Sequence, residues 1–292
     1  MRILLAKRAG FCFGVKRAIN IAFDVAKAKK DGVFTFGPII HNPQVIERLS
    51  EMGVSAVGSI KDLQRKDTRA VIIRTHGVPA GVMESLPALG AEIIDATCPY
   101  VKKAQQYAKL LTEEGYQVVI LGDRRHPEVE GIMSYAGKNA AVVDADGRLP
   151  KLMPRVGPRV GIVVQTTQPV EALKRLLADA IEKTKEIKVY NTICSSTALR
   201  LKETEAITRK ADAMIVVGGK NSANTTQLAN LCRSLSVPTH HIETASEIRV
   251  SWFKGAGTVG ITAGASTPDW IIEEVKKRIK DIGGRLCHGC QG

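Results

Sequence analysis

EIIDATCPYVKKAQQYAKLL, residues 92–111, contains the unit from which the chain is built. Residues 92–95, with Ile93 and Ile94 at the centre, read as a short strand. Cys98 follows, and after Pro99 the apolar positions fall at Val101, Ala104, Ala108 and Leu111, the spacing of one helix face. A strand therefore delivers the chain to a cysteine that stands ahead of a helix. The passage occurs twice more. Residues 188–191 lead to Cys194 and a helix over 197–210. Residues 2–6 lead to Cys12, framed as Gly10-Phe11-Cys12-Phe13-Gly14, and to a helix face of Val15, Ala18, Ile19, Ala22 and Phe23 that Gly32 is expected to close.

Each cysteine is trailed, at nearly the same distance, by further polar clusters. The first tier is His41-Asn42-Pro43, His126-Pro127-Glu128 and Ser222-Ala223-Asn224. The second is Thr75-His76-Gly77, Thr166-Thr167 and Ser266-Thr267, each just ahead of a proline. Repetition on this scale marks repeated structural units. Strands are expected at 33–36, 70–74 and 92–95, at 117–121, 140–143, 160–165 and 188–191, and at 213–217 and 258–262, alternating with helices. That alternation predicts an α/β fold of three similar parallel-sheet units. Their expected bounds are 13–97, 98–193 and 194–282. The third lacks a strand after its last helix (269–282), and the N-terminal segment 1–12 supplies it. Residues 283–292 read as a tail, because Gly283, Gly284 and Gly289 interrupt a helix. Ligands of parallel sheets bind beyond the carboxyl ends of the strands, where each of these cysteines and clusters falls.

A chain of 292 residues exceeds one small core and predicts two or three domains. Its net charge of +13 admits nucleic acid, an anionic membrane or a small anionic substrate as partner. The basic residues are scattered, with only short groups such as Lys27, Lys29 and Lys30, and no aromatic stripe accompanies them; no nucleic-acid partner is expected. No apolar run approaches the roughly 18 residues of a membrane span, and the run at 1–6 is too short for a signal peptide. A cytoplasmic protein with reduced thiols and no membrane partner is expected, so its cysteines are candidates for metal binding or catalysis.

Three long-separated cysteines without a close pair argue against a zinc ribbon or finger. They favour a [4Fe–4S] cluster with three irons anchored and the fourth exposed, with a zinc hydrolase on the same thiols as the alternative. Cys232 lies in the apolar stretch NLCRSL and reads as a buried small hydrophobe. Cys287 and Cys290, in CHGC, have a spacing that can bind metal or form a redox pair. His41, His76 and His126, with Thr166, Thr167, Ser222, Asn224 and Ser266 at helix starts, suit a phosphate or diphosphate. The plainer reading is that Ser, Thr and Asn at such positions are helix caps. His240-His241 falls in a weaker, strand-like stretch and reads as structural. Glu128 is the candidate proton donor, and Glu130 reads as a solvated helix residue. A cluster-bearing sensor or nucleic-acid-binding protein is the competing functional class.

Gly10-Phe11-Cys12-Phe13-Gly14-Val15, Ile40-His41-Asn42, Arg74-Thr75-His76-Gly77, Ala96-Thr97-Cys98-Pro99, His126-Pro127-Glu128-Val129 and Lys220-Asn221-Ser222 together resemble the 4-hydroxy-3-methylbut-2-enyl diphosphate reductase family, over about residues 1–281. The resemblance implies reductive removal of a hydroxyl from an allylic diphosphate, giving isopentenyl and dimethylallyl diphosphates in the last step of the methylerythritol phosphate route. It implies a pseudo-threefold trefoil of the three units around a central iron–sulfur cluster. Cys12, Cys98 and Cys194 become the ligands of one [4Fe–4S] cluster with an open iron. His41, His76, His126, Ser222, Asn224 and Ser266 become the diphosphate cradle. Glu128 becomes the proton source and Thr167 a catalytic, substrate-binding hydroxyl, with ferredoxin or flavodoxin as electron donor. Ala223 stands where many members carry serine, and the Cys287/Cys290 segment extends past the family's usual core.

Overall fold

Short apolar runs separated by amphipathic helices form strands buried on both faces, and they do so three times. The computed structural model describes residues 1–40, 42–138, 140–147 and 157–288, with the side chains of all of these except 223 and 285–288. In chain order the elements are β1 (Arg2–Leu5), α1 (Phe13–Lys29), β2 (Val33–Phe36), α2 (Pro43–Glu51), β3 (Val54–Val57), α3 (Ile60–Gln64), β4 (Ala70–Ile73), α4 (Ala80–Ser85) and β5 (Glu92–Asp95). They continue with α5 (Pro99–Glu113), β6 (Gln117–Leu121), α6 (Pro127–Tyr135), β7 (Ala141–Val143), β8 (Arg159–Val164), α7 (Val170–Ile181), β9 (Glu186–Tyr190) and α8 (Ser195–Thr208). β10 (Ala213–Val217), α9 (Ala223–Ser234), β11 (Thr239–Ile242), β12 (Thr258–Ala263) and α10 (Asp269–His288) complete the order.

The strands pair into three parallel, four-stranded sheets of one plan: β3-β2-β4-β5, β7-β6-β8-β9 and β11-β10-β12-β1. The N-terminal strand takes the fourth place in the last sheet, with Leu4 opposite Gly260 and Leu5 opposite Ile261. The repeat extends to single hydrogen bonds. The glycine after each first strand (Gly37, Gly122, Gly218) donates its N–H to the last residue of the neighbouring edge strand (Val57, Val143, Ile242) at 2.7, 2.8 and 2.8 Å.

The chain divides into two compact units, one of residues 1–16, 40–48 and 195 onward, the other of 17–39 and 49–194. In the first, Ile215 and Val217 of β10 face α10, whose Ile271, Ile272, Val275 and Ile279 cover them. Met214 and Val216 face the other way, onto Leu228, Ala229 and Cys232 of α9. This alternation is what burial of both sheet faces requires. In the second unit, Val160, Ile162 and Val164 of β8 pack with Ala172, Leu173 and Leu176 of α7. The opposite face of that sheet, with Val118, Ile120 and Val163, meets Ala104, Ala108 and Leu111 of α5. Val71 and Ile73 of β4 centre the core of the remaining sheet with Leu63 and Leu86. Burying a side chain of this kind stabilises by about 1.5–3 kcal/mol. No helix among the described residues is long and apolar enough to cross a membrane.

Three local expectations differ from what is found. β3 is an edge strand outside those expected, with two exposed central residues and so without the continuous apolar run that marks an interior strand, whereas the edge strand β11 falls on the strand-like stretch around His240-His241. α1 ends at Lys29, and Lys30 directly after it is already left-handed (φ 57°), ahead of Gly32, which is left-handed too (φ 67°). α10 continues through Gly283 and Gly284 to His288 instead of ending near 282. Gly283 is buried against Met1, whose atoms would lie 3.2 Å from an added Cβ. A helical glycine costs about 1 kcal/mol relative to alanine, and here the bare backbone lets the helix pass the N-terminus closely. Cys290 lies outside the described residues, as does the side chain of Cys287.

Cys232 is fully buried, with Thr208 Oγ1 3.3 Å from its sulfur, in line with the expected packing role. Cys232→Ala should therefore cost about 1–2 kcal/mol, read as a lower urea midpoint at unchanged slope; an unchanged midpoint would exclude that role.

Candidate active site

Each of the three cysteines follows the fourth strand of its sheet and precedes a helix: Cys12 between β1 and α1, Cys98 between β5 and α5, Cys194 between β9 and α8. All three are half-buried. Each is held in the same way, by donating its backbone N–H to the second residue past the third strand. Cys98 donates to Thr75 O at 2.9 Å, Cys194 to Thr166 O at 2.8 Å and Cys12 to Ala265 O at 3.2 Å. Pro99 occupies the first helical position after Cys98, where its lacking N–H costs nothing and its fixed φ suits a helix start. The helix dipole favours negative charge at such an end.

In the second unit these contacts form a continuous chain. From Cys194 it passes to Thr166, whose N–H donates to Glu128 Oε1 at 2.6 Å and whose hydroxyl donates to Oε2 at 2.9 Å. The N–H of Glu128 donates to Nδ1 of His126, the N-cap of α6, at 3.1 Å. A ring nitrogen that accepts carries no proton, so His126 is neutral in this geometry, with its N–H at Nε2. The His126 ring meets the His76 ring edge to face, with centroids 5.3 Å apart. His76 adjoins Thr75, which holds Cys98. Gly77 makes the turn possible: its φ is +71°, and an added Cβ would stand 2.6 Å from Gln105 Nε2. Thr167, the expected catalytic hydroxyl, is half-buried, and the threonine placed on Glu128 is its neighbour Thr166. Glu130 is exposed.

Glu128 is 2% exposed. Burial raises its pKa to about 7, against the opposing effect of the two Thr166 hydrogen bonds, which favour the anion. The group thus keeps its proton well above the ordinary carboxylate range and is about half protonated near pH 7.

The first unit supplies the remaining clusters. Cys12 is tied to Ala265, whose own N–H donates to Asn224 Oδ1 at 3.1 Å. Ser222 caps α9 by accepting from Thr225 N at 3.4 Å, and Asn42 caps α2 by accepting from Val45 N at 3.1 Å. Ser266 is nearly buried beside Ala265. The plain capping reading therefore holds for Ser222, and its O–H remains a possible donor. His41 lies outside the described residues. His240 stacks on Trp252 at 3.9 Å, and His241 Nε2 is 2.9 Å from Gly218 O, both structural contacts. Among the described residues, no group of three or more His, Cys, Asp or Glu side chains is arranged to hold a metal ion.

Sequence reading passed over Arg200 and Arg17, whose guanidinium groups bond the loops leading to Cys12 and Cys98. An arginine inside a helix gives no sequence signal that separates a buried one from a solvated one, and α8 buries only Arg200 and three threonines.

The raised pKa of Glu128 has a thermodynamic consequence. A folded pKa above the ordinary 4.5 gives stability that is complete below that value and is lost as pH rises to about 7. The loss should be roughly 3 kcal/mol at 1.36 kcal/mol per pKa unit, measured by urea unfolding across this range. Glu128→Gln should remove this component; an identical pH dependence in wild type and variant would contradict it.

A family model described as LytB protein matches residues 3–280. A protein of Pelobacter propionicus named 4-hydroxy-3-methylbut-2-enyl diphosphate reductase is 51% identical over 282 residues, covering 97% of this chain and 99% of its own. One of the same name from Geobacter sulfurreducens is 50% identical over 288 residues, covering 98% and 99%. The solved structure of an (E)-4-hydroxy-3-methyl-but-2-enyl diphosphate reductase, described as the terminal enzyme of the non-mevalonate pathway, matches with a TM-score of 0.75 at 43% identity, over 96% of this chain and 100% of that one. That of the Plasmodium falciparum E-1-hydroxy-2-methyl-but-2-enyl-4-diphosphate reductase matches with a TM-score of 0.84 at 26% identity, over 96% and 87%. With the family model spanning nearly the whole chain and relatives at half identity over their full length, the chain belongs to the LytB protein family.

Proposed function

We propose that this chain catalyses the reaction its relatives are named for. It would reduce 4-hydroxy-3-methylbut-2-enyl diphosphate at the allylic hydroxyl to isopentenyl and dimethylallyl diphosphates, the last step of the methylerythritol phosphate route. Two electrons and two protons enter per turnover; the C–O bond breaks, the hydroxyl leaves as water and the second proton ends on carbon. The observation that carries this reading is Glu128: a buried acid with a pKa of about 7, held by the threonine that also holds Cys194.

Cys12, Cys98 and Cys194 would hold one [4Fe–4S] cluster. Their chemistry fits: three half-buried thiols at one register, each on a pinned backbone at a helix start. A cluster gives each cysteine its own iron, so its ligands need not meet at a single ion. When bound, the cluster supplies the electrons and, at the iron without a cysteine, a Lewis acid for the substrate oxygen. The chain's own groups do the rest. His76 and His126, with His41, Ser222, Asn224 and Ser266, bind the diphosphate. Nε2–H of His126 and the Asn224 amide NH2 are donors, since Nδ1 and Oδ1 are already engaged. Anchoring the diphosphate fixes the allylic carbon and converts a bimolecular encounter into a unimolecular one. Glu128 gives its proton to the departing hydroxyl. Thr166 keeps the carboxyl in place, and Thr167 orients the oxygen. Alanine at 223 removes one hydroxyl from the family's cradle. The electron donor is a ferredoxin or flavodoxin in the cytoplasm, which the net charge of +13 would attract if that carrier is acidic.

Anaerobically reconstituted protein with an artificial one-electron reductant should yield both products. Glu128→Gln should lower turnover about 10²–10⁴-fold with iron content and substrate affinity unchanged; near wild-type turnover would remove Glu128 from the mechanism. Serine at position 12, 98 or 194 should each abolish retention of a full iron complement, whereas Cys290→Ser should keep it. Equal iron loss in Cys290→Ser and Cys98→Ser would contradict the ligand set.

A further inference from the structure

Two arginines, each on a helix that follows a cysteine, bond the main chain of a loop that leads to a different cysteine. Arg200 lies on α8, which follows Cys194, and is only 2% exposed. Its guanidinium donates to the carbonyls of Ala263 at 2.8 Å, Gly10 at 2.9 Å and Arg8. Gly10 stands just ahead of Cys12. Ala263 ends β12, just ahead of Ala265, which takes the Cys12 N–H. One turn further along α8, the Glu203 carboxylate accepts the N–H groups of Lys7 at 2.7 Å and Arg8 at 3.0 Å. α8 thus engages both the donors and the acceptors of the loop that leads to Cys12. The loop has little slack: Gly10 has φ +94°, and an added Cβ would stand 2.8 Å from Asp269 Oδ1.

Arg17 occupies the matching place on α1, which follows Cys12. It donates to Thr97 O at 3.3 Å and Asp95 O at 3.2 Å, on the segment that leads to Cys98. α5, which follows Cys98, carries no arginine; its Tyr107 stacks instead on Tyr190 of β9, with centroids 4.0 Å apart.

A buried guanidinium carries a desolvation cost that an apolar side chain of the same length avoids. Packing alone would be served as well by methionine. What the planar fork adds is a fixed separation between several carbonyl groups. We propose that Arg200 and Arg17 are positioning residues for Cys12 and Cys98, each fixing the loop that presents its thiol to the cluster. This rests on the reading of these cysteines as cluster ligands and adds how two of them are kept in place. Arg200 and Arg17 bond different loops, so the two substitutions have separate, cysteine-specific consequences.

The test uses wild-type, Arg200→Lys and Arg17→Lys chains, each reconstituted anaerobically with iron and sulfide. They are exposed to iodoacetamide, and modification at each cysteine is followed by peptide mass spectrometry alongside iron content. Lysine keeps the charge but replaces the fork with a point donor. In Arg200→Lys, alkylation of Cys12 should rise by roughly tenfold or more, the size expected for losing a charge-assisted hydrogen bond, with Cys98 and Cys194 at their wild-type rates. In Arg17→Lys the rise should fall on Cys98 alone. Where Arg200→Lys fails to fold, Glu203→Gln, which weakens the other side of the same clamp, should give the same Cys12-selective pattern. Equal acceleration at all three cysteines, or none at any, overturns the proposal. Rapid alkylation of Cys12 in wild-type protein at full iron content overturns the ligand reading itself, and the proposal with it.

Discussion

A carboxylic acid kept from water stays protonated at neutral pH only where its surroundings oppose the charge and still satisfy its oxygens. Glu128 meets the first condition through burial and the second through one residue, Thr166. Burial pushes its pKa to about 7, and Thr166 bonds both oxygens, through its N–H and its hydroxyl. The Thr166 carbonyl in turn receives the N–H of Cys194. The buried carboxyl of Glu128 and the backbone of Cys194 are therefore set by the same short turn after β8. A shift of that turn would disturb both.

The wider architecture explains why such a turn can be held firmly. In a parallel sheet the strands end together, so the loops after the first, third and fourth strands lie at the same end. In this chain the third loop offers a carbonyl and the fourth loop a cysteine N–H, in every repeat. The rigidity comes from strands such as β4 and β10, whose residues are all buried. Arg17 and Arg200 tie down two of the loops that lie beyond this rigid layer.

Much of this was legible in the sequence because it depends on periodicity. The strand–cysteine–helix order, the placing of polar clusters after strands and the N-terminal strand completing the last sheet follow from apolar spacing and chain order. What was not legible depends on short edges and single contacts. β3 has exposed central positions and lacks an apolar run. Thr166 and Thr167 are adjacent and chemically alike, and only the direction in which the chain leaves β8 decides which one meets Glu128. The extension of α10 through two glycines is a tertiary effect, since close passage by Met1 outweighs weak helix propensity. Arg200 is invisible for the same reason: its partners are main-chain carbonyls remote in sequence, and no residue pattern announces them.

The account depends on Glu128 carrying a proton at neutral pH, and infrared titration observes that proton directly. The carboxylic C=O band present in wild type and absent in Glu128→Gln should persist to about pH 7 and vanish above it, because burial disfavours the anion. A band already lost near the ordinary carboxylate value of 4.5 would mean an ionised Glu128 and would contradict the account.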